Sequence, residues 1–394
     1  MKLFGVNSLK NIILVTVFGF DVAEISQIRR IRSFSALGLK VQSFTMRRKN
    51  MNKDFKPDWP NVHLYETENE KLLKRFLVIF KSLFKMLAHR KALHESDVII
   101  ARNLDMLCIA WFSKVVLRLN NTPLIYECLD INSALCGNRY NHLLLRWVER
   151  FLLRRIQLLV VSSPAFLTEY FCSIQSFQGK HYLLENKLAL SLELPSRPRS
   201  NLISSEENDI VLGWVGTIRC KPTFDLLVEL SRQLEKNISI KIFGVVHEHC
   251  INDFFETIEK CKNISFYGPY EYPQDLAKIY QSIDLVWAQD LWQRDTNSKW
   301  LLPNRIYEAS WAGCPSLALA DTETGRRISQ DKLGWVIDSP TSKCLVDFLS
   351  TITKESLSQK RAELLLRSSA DFIQSKEDLQ KLFETLSDCR VSFK

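Results

Sequence analysis

The sequence predicts an α/β protein made of two doubly wound parallel sheets. Three observations carry that expectation. Short apolar runs alternate with longer amphipathic stretches, as in a parallel sheet covered on both faces. The alternation breaks at residues 188–209, where two prolines, a cluster of serines and a charged end read as a linker, and it then restarts. The chain has 394 residues, 46% of them hydrophobic and 25% charged, which suffices for two separate cores.

In the first half, residues 11–18 (NIILVTVF) read as a buried strand and 21–37 follow with helical spacing. Residues 39–45 are strand-like, and 97–101 (DVIIA) form another short buried strand. A helix over 107–119, a strand over 123–128 (PLIYEC) and a helix over 142–155 come next. Residues 158–162 (LLVVS) read as a strand with a helix after it, and 181–184 as a last short strand. Beyond the linker, strands fall at 210–215, 238–243, 264–267, 284–287 and 315–320, with helices at 223–234, 252–260, 273–282 and 304–312 and helices to the end. No internal repeat of roughly 20–50 residues is visible. The expected division is an N-terminal domain over 1–190, a linker over 191–209 and a C-terminal domain over 210–365. Helices over 366–394 are placed to pack back across the domains. Ligands of such a fold lie beyond the strand C-terminal ends, here facing a central cleft.

Composition narrows the function classes. The chain is too apolar for a disordered protein and lacks the glycine content of a collagen. No window reaches the ~18 apolar residues of a spanning helix, and residues 1–17 show no secretory signal. Ten cysteines are scattered with no pair spaced as in a zinc knuckle or redox motif, which suits a reducing cytoplasmic setting. Residues 1–200 carry 30 Lys/Arg against 16 Asp/Glu, whereas the rest of the chain is mildly acidic. A basic half favours an anionic partner. The chain lacks aromatic-studded RNA motifs and a helix-turn-helix signature, so no nucleic-acid partner is expected.

Two stretches could carry chemistry. In GWVGTIRCKPTF (213–224) a strand ends near Gly216, a loop holds Arg219 and Lys221, and a helix begins at Pro222 or Thr223. A glycine turn, two cations and a helix N-terminus together suit a diphosphate. The plainer alternative is a strand–turn–helix junction with two solvated cations. In KWLLPNRIYEASWAGCPSLAL (299–319) Pro303 starts a helix that ends at Gly313, and Glu308 lies five residues into it. A carboxylate there can accept hydrogen bonds from both hydroxyls of a ribose, or it is an ordinary helix glutamate.

These residues, with NISFYGPY and DLAKIYQSIDLVW, resemble the donor half of the GT-B glycosyltransferases of family 4. The first half is similar to the branch that builds bacterial exopolysaccharides, such as the succinoglycan glycosyltransferases, through FGFDVAEISQIRRIRSF, ARNLDM, IYECLDI, VSSPAF and ENK in order. The resemblance covers about residues 11–340. It implies that Arg219 and Lys221 hold the diphosphate of a nucleotide-sugar and stabilise the leaving nucleotide. It implies that the N-terminal domain binds the acceptor and the C-terminal domain the nucleotide-sugar, with Gly216 in the donor site, Glu308 on the ribose, Asn304 and Arg305 at a helix N-terminus near the diphosphate, and the Gly19 turn closing over the donor from the other domain. The chain departs from the family at Trp300, where members often carry a first glutamate, and at Leu129, where many carry a histidine. Glu127 and Asp130 remain as polar groups beside the reacting carbon or the acceptor hydroxyl, or as a strand-end glutamate and a helix cap.

The implied activity is transfer of a hexose from a nucleotide-sugar, a UDP-sugar in preference to a GDP-sugar, to a polyprenyl-diphosphate-linked oligosaccharide in exopolysaccharide, capsule or surface glycan synthesis. Retention of configuration and no metal or resident cofactor are implied with it. The rival reading is a catalytically silent scaffold of the same fold. His247, His249 and Cys250 could ligate a metal but lack a second ligand pair, so they are expected to be a polar loop and no metal site is assigned. In residues 70–91, Lys71, Lys74, Arg75, Lys81, Ser82, Lys85 and His89 share one helical face, and leucines and phenylalanines share the other. That arrangement suits an interfacial helix. With Arg139, Arg146, Arg150 and Arg154 extending the patch, it points to a peripheral protein at the cytoplasmic face of the inner membrane.

Overall fold

A computed structural model describes residues 12–48, 55–67, 81–190, 193–198, 209–234 and 237–387. Lys71, Lys74, Arg75 and most of the 191–209 linker lie outside the described residues. The chain forms two units. The first consists of Met1–Glu185, Ala189–Ser191 and Ser375–Lys394, and the second of Asn186–Leu188 and Leu192–Gln374.

The first unit holds seven strands: β1 (Leu14–Gly19), β2 (Lys40–Arg48), β3 (Asn61–Thr67), β4 (Val98–Arg102), β5 (Leu124–Cys128), β6 (Leu158–Val161) and β7 (His181–Leu183). They form one sheet in the order β3-β2-β1-β4-β5-β6-β7, with every neighbouring pair parallel. The central strands β4 and β5 are buried along their whole length, which explains their near-continuous apolar sequence. Strand β3 (NVHLYET) sits at the sheet edge, where half of a strand faces water. Such a strand needs no apolar run, and the sequence pattern passes over it.

Val15, Val17, Ile100, Ile125, Leu158 and Val160 share one core with Leu379, Leu382, Phe383 and Leu386. These last four come from the terminal helix Lys376–Ser387, so the end of the chain completes the first unit. Phe383 lies 5.5 Å from Phe34, ring centre to ring centre, and the Tyr182 hydroxyl donates to the Asp378 carbonyl at 2.7 Å.

A second, polar fixture joins helix Tyr140–Leu153 to the sheet. The buried Glu149 carboxylate accepts from the Tyr126 hydroxyl at 2.9 Å, from Gln175 Nε2 at 2.6 Å and from the Tyr170 hydroxyl. Burial pushes the Glu149 pKa up against the opposing effect of these three donors.

The second unit holds β8 (Ile210–Val215), β9 (Ile238–Phe243), β10 (Ile264–Phe266), β11 (Leu285–Trp287), β12 (Ser316–Leu319) and β13 (Gly334–Ile337). Their order is β10-β9-β8-β11-β12-β13, again parallel throughout. In both units the strand order steps outward from the first strand on one side and then reverses to the other. The reversals fall between β1 and β4 and between β8 and β11. In open sheets of this kind the reversal point, beyond the strand C-terminal ends, is where ligands are bound.

Replacing Phe383 with Ala removes a fully buried ring from the core of the first unit. We expect a loss of about 3–5 kcal/mol, read by urea denaturation as a transition of the first unit moved to lower denaturant while the second unit's transition stays in place.

Candidate functional site

In the second unit the chain leaves β8 at Gly216, whose φ of +121° lies in the region that favours glycine. Gly244, at the end of β9, has φ +139°, and a Cβ there would run into the Gly216 carbonyl. The Gly216 N–H donates to the Phe243 carbonyl at 2.9 Å, and the Ile218 N–H to the Val245 carbonyl at 2.9 Å. The turn after β8 is thus laid against the turn after β9 and held there by backbone bonds.

Arg305 belongs to helix Asn304–Trp311, which begins after Pro303. Its Nη1 donates to the carbonyl of Trp287, the last residue of β11, at 3.1 Å. A Cβ on Gly216 would stand 3.2 Å from its Nη2. The guanidinium therefore spans the ends of β8 and β11, at the reversal of strand order. Its Nε is buried and has no hydrogen-bond partner among the described residues.

Arg219 is exposed on the turn after β8. Lys221 is the first residue of helix Lys221–Gln233 rather than a loop residue, and its ammonium pairs with Asp225 at 2.7 Å and Asp253 at 2.9 Å. Desolvation lowers its pKa, but these two carboxylates outweigh it and leave the pKa raised. Lys221 is thus shared between two acids, whereas Arg219 faces solvent. Glu308 is buried on the same helix as Arg305 and accepts from the Tyr280 hydroxyl at 3.4 Å. Asn304 stands at that helix's first position, half-buried. Trp300 is half-buried on the short helix Asn297–Trp300.

The sequence did not single out Gln289. It follows β11, is buried, accepts from the Thr322 hydroxyl at 2.9 Å and donates to the Ser298 carbonyl at 3.0 Å. It ties the loop after β11 to the Thr322-capped start of helix Glu323–Gln330. Asp321, Thr322 and Glu323 thus form the start of that helix. The only available signal for Gln289 was its place two residues past a strand end.

The first unit builds a comparable reversal point between β1 and β4. Gly19 ends β1, and Gln27 packs on its backbone where any Cβ would stand. Gln27 is fully buried, and neither of its amide atoms has a hydrogen-bond partner among the described residues. Glu127, 3% exposed near the end of β5, lies between Arg30 at 2.8 Å and Arg102 at 2.9 Å. Burial raises its pKa, but the two guanidiniums reverse that and hold it below the ordinary carboxylate value. Burial also lowers the Arg30 pKa. Asn103, with φ +79°, caps helix Leu104–Val116 by accepting from the Met106 N–H at 3.1 Å. Asp130, three residues past Glu127, is exposed.

The basic helix differs from its expected faces. Ser82 and Met86 are buried, whereas Phe84 and Leu87 are exposed. Lys85 is drawn onto β3, donating to the Leu64 carbonyl at 3.3 Å and lying over the Tyr65 ring, while Lys81 is exposed. On helix Tyr140–Leu153, Arg150 donates to the Ile174 and Gln175 carbonyls. It therefore does not extend a free basic patch. Tyr140, Leu143, Leu144 and Trp147 stand exposed at i, i+3, i+4 and i+7 of that helix, with Tyr140 92% and Trp147 60% accessible. Among the described residues no helix is long and apolar enough to cross a membrane.

Comparison with known proteins gives consistent results. No family model matches the chain. The chain is 31% identical over 312 residues to the succinoglycan biosynthesis protein ExoL of Rhizobium meliloti (strain 1021), covering 78% of this chain and 75% of that protein. Among solved structures it is similar to Anabaena HepE in complex with UDP and glucose, with TM-score 0.66, 14% identity and coverage of 95% and 99% of the two chains. It is also similar to a sucrose-phosphate synthase from Thermosynechococcus elongatus, with TM-score 0.71, 16% identity and coverage of 95% and 99%.

The Glu127 cluster yields a prediction with a defined pH sign. A carboxylate with a lowered folded pKa stabilises the protein above its unfolded pKa and loses that contribution as the pH falls through the folded value. Glu127→Gln should cost about 3 kcal/mol at neutral pH by leaving two guanidiniums uncompensated. Denaturation midpoints measured from pH 7 downward should show the gap to wild type closing only below the ordinary carboxylate pKa of 4.5.

Proposed function

Because the chain belongs to the family of the succinoglycan biosynthesis protein ExoL and has the GT-B glycosyltransferase fold, we propose that it transfers a hexose from a UDP-sugar to a polyprenyl-diphosphate-linked oligosaccharide. Exopolysaccharide or a related surface glycan is the product line, and the work is done at the cytoplasmic face of the membrane. The observation that carries the donor side is Arg305. It bridges the ends of β8 and β11, and its buried Nε lacks a partner among the described residues.

In this reading the diphosphate lies beyond β8 and β11. Arg305 meets it from the strand ends and Arg219 from the turn, with Asn304 at the helix start beside it. As the bond from the anomeric carbon to the diphosphate oxygen breaks, negative charge grows on the leaving nucleotide. Cations already fixed in place stabilise that charge without having to reorganise. Lys221 contributes less than a free ammonium, because Asp225 and Asp253 share its charge. Glu308 accepts from the ribose hydroxyls in addition to Tyr280. The transfer step needs no metal, since guanidiniums supply the positive charge, and retention of configuration follows the family resemblance.

The first unit takes the acceptor in this proposal. Glu127 serves there as the anchor that orients Arg30 and Arg102, and the unpaired Gln27 amide faces the polar part of the acceptor. The exposed Tyr140–Trp147 stripe, with Phe84, Leu87 and the basic Arg139, Arg154 and Lys81, supports contact with an anionic lipid surface.

A thermal-shift panel tests the donor side. UDP at ~100 times its dissociation constant should add ~2.7 kcal/mol of stability. Arg219→Ala and Arg305→Ala should abolish the shift, and Glu308→Gln should weaken binding roughly tenfold. A folded protein that responds to no nucleotide would instead favour the silent scaffold.

Vesicle co-sedimentation tests the surface. Wild type should bind vesicles rich in anionic lipid at low salt, and a Leu144→Ser, Trp147→Ser double variant should lose most of that binding. Equal binding by the variant would remove the stripe from the reading.

A further inference from the structure

His247, His249 and Cys250 lie in the loop that follows β9, bridged to the turn that carries Arg219. Their ligand atoms all lie within 4.8 Å of one another. The two imidazole rings are 5.4 Å apart, centre to centre. Backbone geometry produces the convergence: the Cys250 N–H donates to the His247 carbonyl at 2.8 Å, and the Ile251 N–H donates to the same carbonyl at 3.2 Å. This tight turn brings residues 247 and 250 to one side, and His249 reaches over from within it.

Both ends of the loop are fixed. Val246 and Cys250 pack against the core of the second unit, and Ile251 is fully buried in it. The His247 N–H donates to the Ile218 carbonyl at 2.9 Å, and Val246 bridges Ile218. The two histidines and the cysteine are therefore presented from a braced turn rather than a free loop, and His249 is open to solvent. Glu248 and Asp253 are the nearest charged residues in sequence, and Lys221 already engages Asp253.

We propose that His247, His249 and Cys250 form a three-ligand site for a borderline-soft divalent transition metal of the zinc class, with solvent or an exogenous ligand in the fourth position. Two imidazoles and a thiolate are the donor set that such a cation selects over magnesium or calcium. Tetrahedral zinc with bonds of ~2.0–2.3 Å places its ligand atoms roughly 3.3–3.6 Å apart, so about an ångström of side-chain rotation closes the site. Binding releases the Cys250 thiol proton, since the thiolate is the ligand. The sequence already offers these three ligands from four consecutive positions, without a second ligand pair. An occupied site staples the loop to the turn at Ile218, beside Arg219.

The test uses the full, tag-free chain titrated with Zn2+ and with Co2+ as a spectroscopic probe. One equivalent of Co2+ should give the intense visible bands of a tetrahedral ion together with a sulfur-to-metal charge-transfer band, and Zn2+ should displace it. X-ray absorption of the zinc form should show one sulfur and two nitrogen ligands. Cys250→Ser should abolish the charge-transfer band, and His249→Ala should lower affinity by more than the ~10–100-fold typical of an outer-shell change. Cys172→Ser and Cys344→Ser, at cysteines elsewhere on the chain, should leave both unchanged. Absence of a charge-transfer band, or a band that survives Cys250→Ser, overturns the proposal. Neither outcome depends on nucleotide binding, so this site and the donor reading stand or fall separately.

Discussion

The space beside Gly216 is the constraint on which the second unit's site depends. Its carbonyl occupies the position where any side chain at residue 244 would begin, and the Arg305 guanidinium fills the other flank. Two glycines at the ends of adjacent strands let three loops come within van der Waals reach. A methyl group at either residue would push the β8 turn off β9 or Arg305 off β8. The positions of Arg219, of the helix starting at Lys221 and of the 247–250 turn all follow from that one close approach. The first unit uses the same device at Gly19, with a glutamine side chain in place of a backbone carbonyl.

Much of this was legible in the sequence. The buried parallel strands announced themselves as apolar runs, because a strand covered on both faces has no polar alternation to confuse with a helix. Edge strands β3 and β13 did not, since one side of each is open and NVHLYET carries as many polar as apolar residues. Gly216, Arg305 and Glu308 were recognisable as a constellation through order along the chain. What the order could not convey is that Arg30, Arg102 and Glu127, from three separate motifs, meet in one buried ion cluster. Sheet register puts Arg102 of β4 opposite Glu127 of β5, and helix Ile25–Ala36 brings Arg30 onto the same carboxylate from 97 residues away. Gln27 had no signal at all: a glutamine in an amphipathic helix is ordinary until a glycine opposite leaves room for it.

The helix faces at 81–88 and 140–153 show a different limit. Periodicity identifies an apolar stripe but not which way it turns. Ser82 and Met86 are buried and Phe84 is exposed, with Lys85 lying over the Tyr65 ring of β3. Helix Tyr140–Leu153 is oriented by Glu149, whose three donors fix one face inward and leave Tyr140, Leu143, Leu144 and Trp147 on the other. A single buried carboxylate thus decides which apolar residues meet the surroundings.

The terminal helix has a bearing on how the protein is made. Leu379, Leu382, Phe383 and Leu386 belong to the core of the first unit, yet they are translated after the whole second unit. On the ribosome the second unit can close as soon as residues through Gln374 have emerged, whereas the first must wait with part of its apolar surface uncovered. The usual N-to-C order of domain maturation is inverted for this chain. Its earliest-synthesised half is the one that spends longest in need of protection from premature association.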